Sequence, residues 1–193
     1  MKNLLLGVCM LFTMVLSAQT SMGSKYIGGT VGFNSSKDKA TGSESRTNWS
    51  LSPELGYFIQ DKLALGIRLN LGGISQGDNS SSTLGGGLYA RKFWDISDNF
   101  NIFVGANLGY DGTNIKTKVG TTTFESKSNT LGVFLDLGMT YQLSDKWTIV
   151  GRLGTLGFNS TSNPDNDQDG NSTFGLNVNT LGNPFSVGMY YSF

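Results

Sequence analysis

The chain has 193 residues, of which 38% are hydrophobic, 15% are charged, 27 are glycine and none is histidine. Without histidine, Ser-His-Asp and Cys-His catalysis and histidine-ligated zinc are excluded, and we expect no enzymatic activity. Fourteen basic residues balance fourteen acidic ones and no basic run occurs, so no nucleic-acid partner is expected. Glycine is about twice as frequent as its ~7% average, which indicates many positions that need a small side chain.

The first eighteen residues have the order of a secretory signal peptide. Lys2 supplies a positive charge, residues 4 to 16 are almost wholly apolar, and Ser17 and Ala18 are small residues suited to cleavage. We therefore predict a signal peptide over residues 1–18 and one domain over residues 19–193. The only cysteine, Cys9, lies within this segment, so no disulfide is expected in the mature chain.

Eight segments of the remaining chain alternate between apolar and small or polar residues, the period of two that is typical of β-strands. The alternating residues are, in chain order, Ile27, Val31 and Phe33; Trp49, Leu51, Leu55, Tyr57 and Ile59; the odd numbers from Leu63 to Leu71; Leu84, Leu88, Ala90 and Trp94; the even numbers from Phe100 to Tyr110; the odd numbers from Leu131 to Tyr141; Trp147, Ile149 and Leu153; and the odd numbers from Phe185 to Phe193.

Two kinds of connection alternate between these segments. Short turns are predicted near residues 60–61, 95–99 and 144–145. Long polar loops are predicted near residues 35–46, 76–82, 112–128 and 159–172. Short turns at one end and long loops at the other indicate an all-β, eight-stranded, antiparallel up-and-down barrel that spans an outer membrane.

Glycine on the polar face of the strands decides which face lies inside. A solvated strand face usually carries lysine, glutamate and threonine, whereas the interior of an eight-stranded barrel is only just wide enough for side chains. We therefore expect the glycine face to line the lumen and the apolar face to meet lipid. The glycines on this face are Gly56, Gly66, Gly72, Gly85, Gly87, Gly105, Gly109, Gly132, Gly138, Gly154 and Gly188.

Aromatic residues gather at the predicted strand ends, as in the two girdles of a membrane barrel. Those beside the short turns are Tyr57, Trp94, Phe100, Tyr141 and Trp147, followed by Tyr191 and Phe193; those beside the long loops are Phe33, Trp49, Tyr110 and Phe185. Lys92 has outward parity close to Trp94, and we expect it to reach the membrane interface.

Five charged residues have inward parity, namely Glu54, Arg68, Arg91, Asp136 and Arg152. A turn centred on Asp61 places Glu54 opposite Arg68, and a turn centred on Ser144 places Asp136 opposite Arg152, so both are favourable cross-strand pairs. Arg91 has no local partner and is expected to join either pair across the lumen. The group forms either a static network that fills the barrel, which we favour, or a gate that rearranges to admit ions.

The C-terminal segment alternates through Phe185, Val187, Met189, Tyr191 and Phe193 and ends on phenylalanine. This pattern resembles the C-terminal signature of outer-membrane barrels, and the whole mature chain resembles the small OmpA/OmpX-type barrels of the porin-like family. The resemblance implies that the barrel-assembly machinery recognises this segment. It also implies an integral outer-membrane location, with both termini in the periplasm and lipopolysaccharide around the outer half.

Two local patterns leave alternatives open. Asp165, Asp167 and Asp169 precede Gly170 in the order of the first half of a calcium loop. Leu176 stands where that loop needs a bidentate glutamate, so the segment is a weak calcium site or, by default, a solvated turn; no other cofactor is expected. Near the C-terminus the parity changes, and residues 180–184 either bulge the last strand or begin it.

The function predicted from these patterns is that of a non-enzymatic outer-membrane barrel with a filled lumen and external loops for surface contact or protection. Those loops would meet an extracellular partner that the sequence does not name. The alternative is a narrow porin-like channel in which Arg68, Arg91 and Arg152 favour anions. A third hypothesis is a soluble periplasmic barrel that binds a ligand.

Overall fold

The computed structural model describes residues 20–37, 44–164, 170–178 and 186–193. The predicted signal peptide lies outside these residues and stays a prediction. The strands are β1 (Lys25–Ser36), β2 (Arg46–Gln60), β3 (Leu63–Gln76), β4 (Asn79–Ser97), β5 (Phe100–Val119), β6 (Thr122–Gln142), β7 (Trp147–Ser162), β8 (Asn171–Val178) and β9 (Ser186–Ser192). Among the described residues, no helix is long and apolar enough to cross a membrane.

The strands form one closed antiparallel ring. Each strand from β1 to β7 pairs with the next, and β9 pairs with both β7 and β1. Segments β9 and β8 lie end to end along β7, β9 against Trp147–Arg152 and β8 against Gly154–Thr161. The predicted up-and-down barrel is confirmed, with the eighth position in the ring occupied by two segments. Residues 180–184 lie outside the described residues, so the two alternatives for this segment, a bulge in the last strand or its beginning, stay predictions.

The two ends of the barrel differ, as expected from the loop lengths. At what we call the turn end, short connections follow Gln60, Ser97 and Gln142, and the described N- and C-terminal residues lie there too. The opposite end is the hairpin end. Two of its predicted long loops are wrong: residues 76–82 and 112–128 are mostly strand, closed by the two-residue turns Gly77-Asp78 and Gly120-Thr121.

The turn glycines explain why these hairpins close so tightly. Gly77 has φ +57° and Gly120 has φ +63°, while the residue after each has an ordinary negative φ. This is the pattern of a type II′ turn, which suits two-residue hairpins and strongly favours glycine at its first central position. The polar residues predicted as loop therefore continue the β-ladders beyond the apolar band.

The hairpin formed by β5 and β6 projects furthest. At ~3.3 Å per residue and a tilt of ~40°, its twenty-residue strand β5 rises about 50 Å, roughly twice the ~25 Å apolar band of a membrane barrel. Ion pairs between Lys116 and Glu125 (2.7 Å) and between Lys118 and Asp78 (2.9 Å) lie on the projecting part. The hydrogen bond from Lys116 holds the pKa of Glu125 below its usual range.

A β-bulge in β7 corrects several predictions from parity. Leu137 pairs with Gly154, but the next residue, Gly138, pairs with Arg152, so Leu153 is an extra residue. Beyond it the parity of β7 reverses, and Gly154 shares the outward face of Leu137 instead of lining the lumen. The even parity of β8 matches this reversed part of β7, which accounts for the parity change near the C-terminus. No bulge occurs at Pro53, where the pairing with β3 is only interrupted and resumes in the same register.

The apolar face of the strands points out of the barrel, as predicted. Leucine, isoleucine and valine side chains on this face are about 40 to 66% exposed, for example Leu55 (45%), Ile67 (54%) and Leu84 (66%). The buried hydrophobic residues all lie on the opposite face. They are Tyr26, Phe58, Ala64, Tyr89, Phe93, Phe103, Val150 and Tyr190. The molecule is therefore apolar outside and closely packed within.

Candidate functional site

The lumen brings all five predicted charged residues into one cluster, with Glu54 at its centre. Glu54 lies opposite Arg68 in the β2–β3 ladder, at the position expected from the turn, but their charged atoms are 3.9 Å apart. Arg91 is closer, with Nη1 at 3.1 Å from Oε2, and Arg152 also forms an ion pair with Glu54. The Tyr190 hydroxyl donates a hydrogen bond of 2.7 Å to the same carboxylate.

Asp136 forms the second centre of negative charge. Its Oδ2 is 3.7 Å from Arg91 Nη2 and 3.7 Å from Arg152 Nε, and Asn107 donates a hydrogen bond of 2.9 Å to Oδ1. The predicted placement of Asp136 directly opposite Arg152 is wrong, because the β6–β7 connection is centred on Asp145 instead of Ser144. Arg152 therefore pairs with Gly138, and the bulge then pairs Asp136 with Thr155. Side-chain length restores the contact that the register does not provide.

Arg91 joins the two centres across the lumen. Its side chain is fully buried and contacts both carboxylates. It also donates a hydrogen bond of 2.8 Å to the Tyr190 hydroxyl. Its guanidinium carbon lies 4.3 Å from the ring centre of Tyr89 and 4.7 Å from that of Phe103, which adds cation–π attraction. A buried charge is tolerable only when paired and hydrogen-bonded in this way.

A layer of aromatic rings closes the lumen between this cluster and the turn end. Successive ring centres are 4.8 to 5.7 Å apart through the series Tyr190, Tyr26, Phe58, Phe93 and Phe103. The sequence analysis missed this layer, because it attributed the filling of the lumen to small residues and the charge network alone. Large rings occupy the space that the glycines leave.

The register supplies the signal that would have revealed the layer. Tyr26 pairs with Gly56, Tyr89 with Gly66, and Phe103 with Gly138. A Cβ atom built on any of these three glycines would overlap the ring of its partner. An inward aromatic residue directly opposite a glycine is therefore the pattern to look for. The three pairs face each other across connections predicted as long loops, so the turn arithmetic that paired Glu54 with Arg68 could not place them.

The outward face carries the other predicted residues. Among the girdle residues beside the turn end, Tyr57, Trp94, Tyr141 and Trp147 are 44 to 48% exposed and Phe100 is half-buried. In the C-terminal segment, Val187, Met189 and Phe193 are exposed on this face, and Tyr191 packs against Trp147 with ring centres 5.0 Å apart. Phe185 lies outside the described residues. Lys92 is exposed, and its ammonium lies 3.4 Å from the carbonyl of Asp61 at the turn end.

The acidic and basic groups of the cluster contact one another. Within the ranges that the structure describes, no group of three potential ligands could hold a metal ion. The predicted calcium residues, Asp165, Asp167 and Asp169, lie outside those ranges, so the weak calcium site is still a prediction.

The chain is similar to several solved structures. The β-barrel of OprF from Pseudomonas aeruginosa is 12% identical over 89% of this chain and 98% of that chain, with a TM-score of 0.47. Neisserial surface protein A is 16% identical over 89% and 97%, with a TM-score of 0.49. Ail of Yersinia pestis is 9% identical over 89% and 99%, with a TM-score of 0.45. No curated protein sequence matches the chain.

The assignment to a family rests on the sequence model of the outer membrane protein beta-barrel domain, which matches residues 4–180. Together with the closed ring and its apolar outer face, this match overturns the hypothesis of a soluble periplasmic barrel. The chain belongs to the outer membrane protein β-barrel family and is a small integral barrel of the outer membrane.

Proposed function

We propose that the protein is a non-enzymatic barrel with a closed lumen, which carries a rigid hairpin outward for surface contact or protection. The observation that carries this proposal is the complete burial of the Arg91 side chain between the aromatic layer and the two carboxylates. An ion that crosses at this level would have to separate buried ion pairs, which costs several kcal/mol. Filling of this kind favours a structural role for the lumen.

The projecting hairpin supports the second part of the proposal. Both strands continue in unbroken register to Val119 and Thr122, so it is an ordered extension of the barrel wall. In this proposal the turn end and both termini face the periplasm, and the assembly machinery acts on the segment that ends at Phe193. The hairpin end then stands above the lipopolysaccharide, where it is available to an extracellular partner.

The alternative is a narrow channel, favoured by one observation. A cavity of about 710 Å³ opens at the turn end, lined by Asp61, Lys62 and Asp95 at its rim and by the aromatic layer at its floor. Rearrangement of the rings would connect this cavity to the three arginines. Such a channel would prefer anions.

Planar-bilayer recording on the refolded protein separates the two functions. A closed barrel shows no steady conductance between pH 6 and 8, and Lys116→Gln, an exposed change on the hairpin, leaves that result unchanged. Steady conductance that Arg68→Gln or Arg152→Gln abolishes would establish the channel and overturn the closed lumen. Contact by the hairpin is measured separately, as the binding of intact cells to host or bacterial surfaces. Cells that carry the full protein are compared with cells whose protein lacks residues 116–125.

A further inference from the structure

The charge cluster of the lumen contains one more positive than negative group. Among the described residues, the guanidinium groups of Arg68, Arg91 and Arg152 have Glu54 and Asp136 within ion-pair distance. Arginine stays protonated in proteins, so the excess cannot be removed by loss of a proton. A buried excess charge is costly unless another group compensates it.

Arg68 is the member of the cluster with the weakest contacts. It is 95% buried, yet its closest carboxylate contact is 3.9 Å and its hydrogen bond to Asn107 Oδ1 is 3.4 Å long. Its Nε atom is buried without a hydrogen-bond partner, and its guanidinium carbon lies 5.3 Å from the ring centre of Phe134. A donor this poorly satisfied in the interior indicates a missing acceptor.

The lumen wall beside Arg68 leaves room for one. Arg68 pairs with Gly87, and Gly87 pairs with Gly109. A Cβ atom built on Gly109 would meet only the carbonyl oxygen of Gly86, at 3.7 Å. Unlike the glycines under the aromatic rings, this one has no side chain of the described residues within 4 Å of that Cβ position.

One other carboxylate of the lumen would repel an anion at this position. Asp111 lies two residues beyond Gly109 in β5 and accepts a hydrogen bond of 2.8 Å from Asn70. Between the described residues, it forms no ion pair within 4.0 Å with any of the three arginines. It therefore lowers the positive potential beside Arg68 without providing the missing contact.

We propose that the lumen binds one small inorganic anion of chloride size, held by Arg68 in the space beside Gly109. The anion accepts hydrogen bonds from the guanidinium and balances the excess charge of the cluster. This proposal does not depend on whether the barrel conducts, because the site is tested by anion binding at equilibrium.

The test is the thermal unfolding of the refolded barrel, followed by its heat-dependent migration on gels, in sodium chloride against sodium gluconate at equal ionic strength. A ligand that binds only the folded state raises the folding equilibrium constant about 100-fold at 100 times its Kd. We expect the unfolding midpoint to rise with chloride in the wild type and in Lys116→Gln, and to be independent of chloride in Arg68→Gln. Asp111→Asn removes the opposing charge, so the same stabilisation should appear at lower chloride concentration.

A midpoint that chloride leaves unchanged in the wild type, or raises equally in Arg68→Gln, overturns the site and leaves water as the occupant. If Arg68→Gln does not fold, crystals of the wild type grown in bromide decide the question. Anomalous density beside Arg68 supports the proposal, whereas its absence there refutes it.

Discussion

Replacing Glu54 by glutamine should strongly destabilise the barrel, because this one carboxylate contacts three arginines and Tyr190. At an effective dielectric constant near 20, each charge pair at ~4 Å contributes about 4 kcal/mol. The neutral amide loses the two strong pairs, with Arg91 and Arg152, but avoids the desolvation of a carboxylate. Loss of one partner of a buried ion pair typically costs ~3 to 5 kcal/mol, so we expect the folding equilibrium constant to fall by roughly 100-fold or more.

The assay is equilibrium unfolding in urea with the barrel in lipid vesicles, followed by tryptophan fluorescence. The three tryptophans, Trp49, Trp94 and Trp147, are each about 45% exposed on the lipid-facing side, so their emission reports on insertion. Glu125→Gln is the matched control, since Glu125 also pairs with a basic residue but is fully exposed, and it should leave the transition unchanged. If the two variants unfold within ~1 kcal/mol of each other, the cluster does not stabilise the barrel as argued from typical buried pairs.

Three further predictions concern other parts of the molecule. Gly138→Ala places a methyl group against the ring of Phe103 and should cost ~1 to 3 kcal/mol, the usual range for overpacking. Gly109→Ala should be tolerated when both variants are measured in sodium gluconate, where the proposed anion site is empty; equal urea midpoints would refute the ring-and-glycine packing. Deletion of Phe193 removes two backbone hydrogen bonds to Lys25 and should slow insertion into vesicles in a time course of gel migration; an unchanged rate would contradict this. Removal of residues 116–125, with a two-residue turn in their place, should leave the free energy of unfolding in urea within about 1 kcal/mol of wild type, since most of the apolar burial lies below the hairpin; a larger loss would show that the hairpin stabilises the barrel.

The strands were predictable because one face meets lipid and the other a packed lumen, which imposes a period of two on the sequence. That constraint ends above the membrane, where both faces meet water. Residues 76–82 and 112–128 therefore read as polar loops although they are strand. Gly77 and Gly120 were the signal for tight turns, but glycine is so common in this chain that two more did not stand out.

The five residues of the cluster could be predicted from the sequence, but their pairing only in part. Turn arithmetic centred on Asp61 placed Glu54 opposite Arg68, because the register shift of this hairpin, between Phe58 and Gln60, lies next to the turn and the pairing from Phe58 to Glu54 keeps that centre. It failed for Asp136 and Arg152 because the turn is centred on Asp145 instead of Ser144, and because the extra residue Leu153, with nothing to mark a bulge, shifts the partner of Asp136 by one more place. The hydrogen bond from Tyr190 to Glu54 joins β9 to β2, strands distant in sequence, which local pairing rules cannot reach.

The closure of the ring has a kinetic consequence. In the part of the chain that the structure describes, the ladder between β1 and β9 has six residue pairs, from Tyr26 with Ser192 to Val31 with Val187. It is the contact with the largest sequence separation in the ring, and contacts of this kind form slowly because the loop-closure entropy is paid first. Until that ladder forms, β1 presents unpaired backbone groups, which hydrocarbon does not tolerate. The chain must therefore hold its first strand in a protected environment until its last segment arrives, so that folding is all-or-none across nearly its whole length.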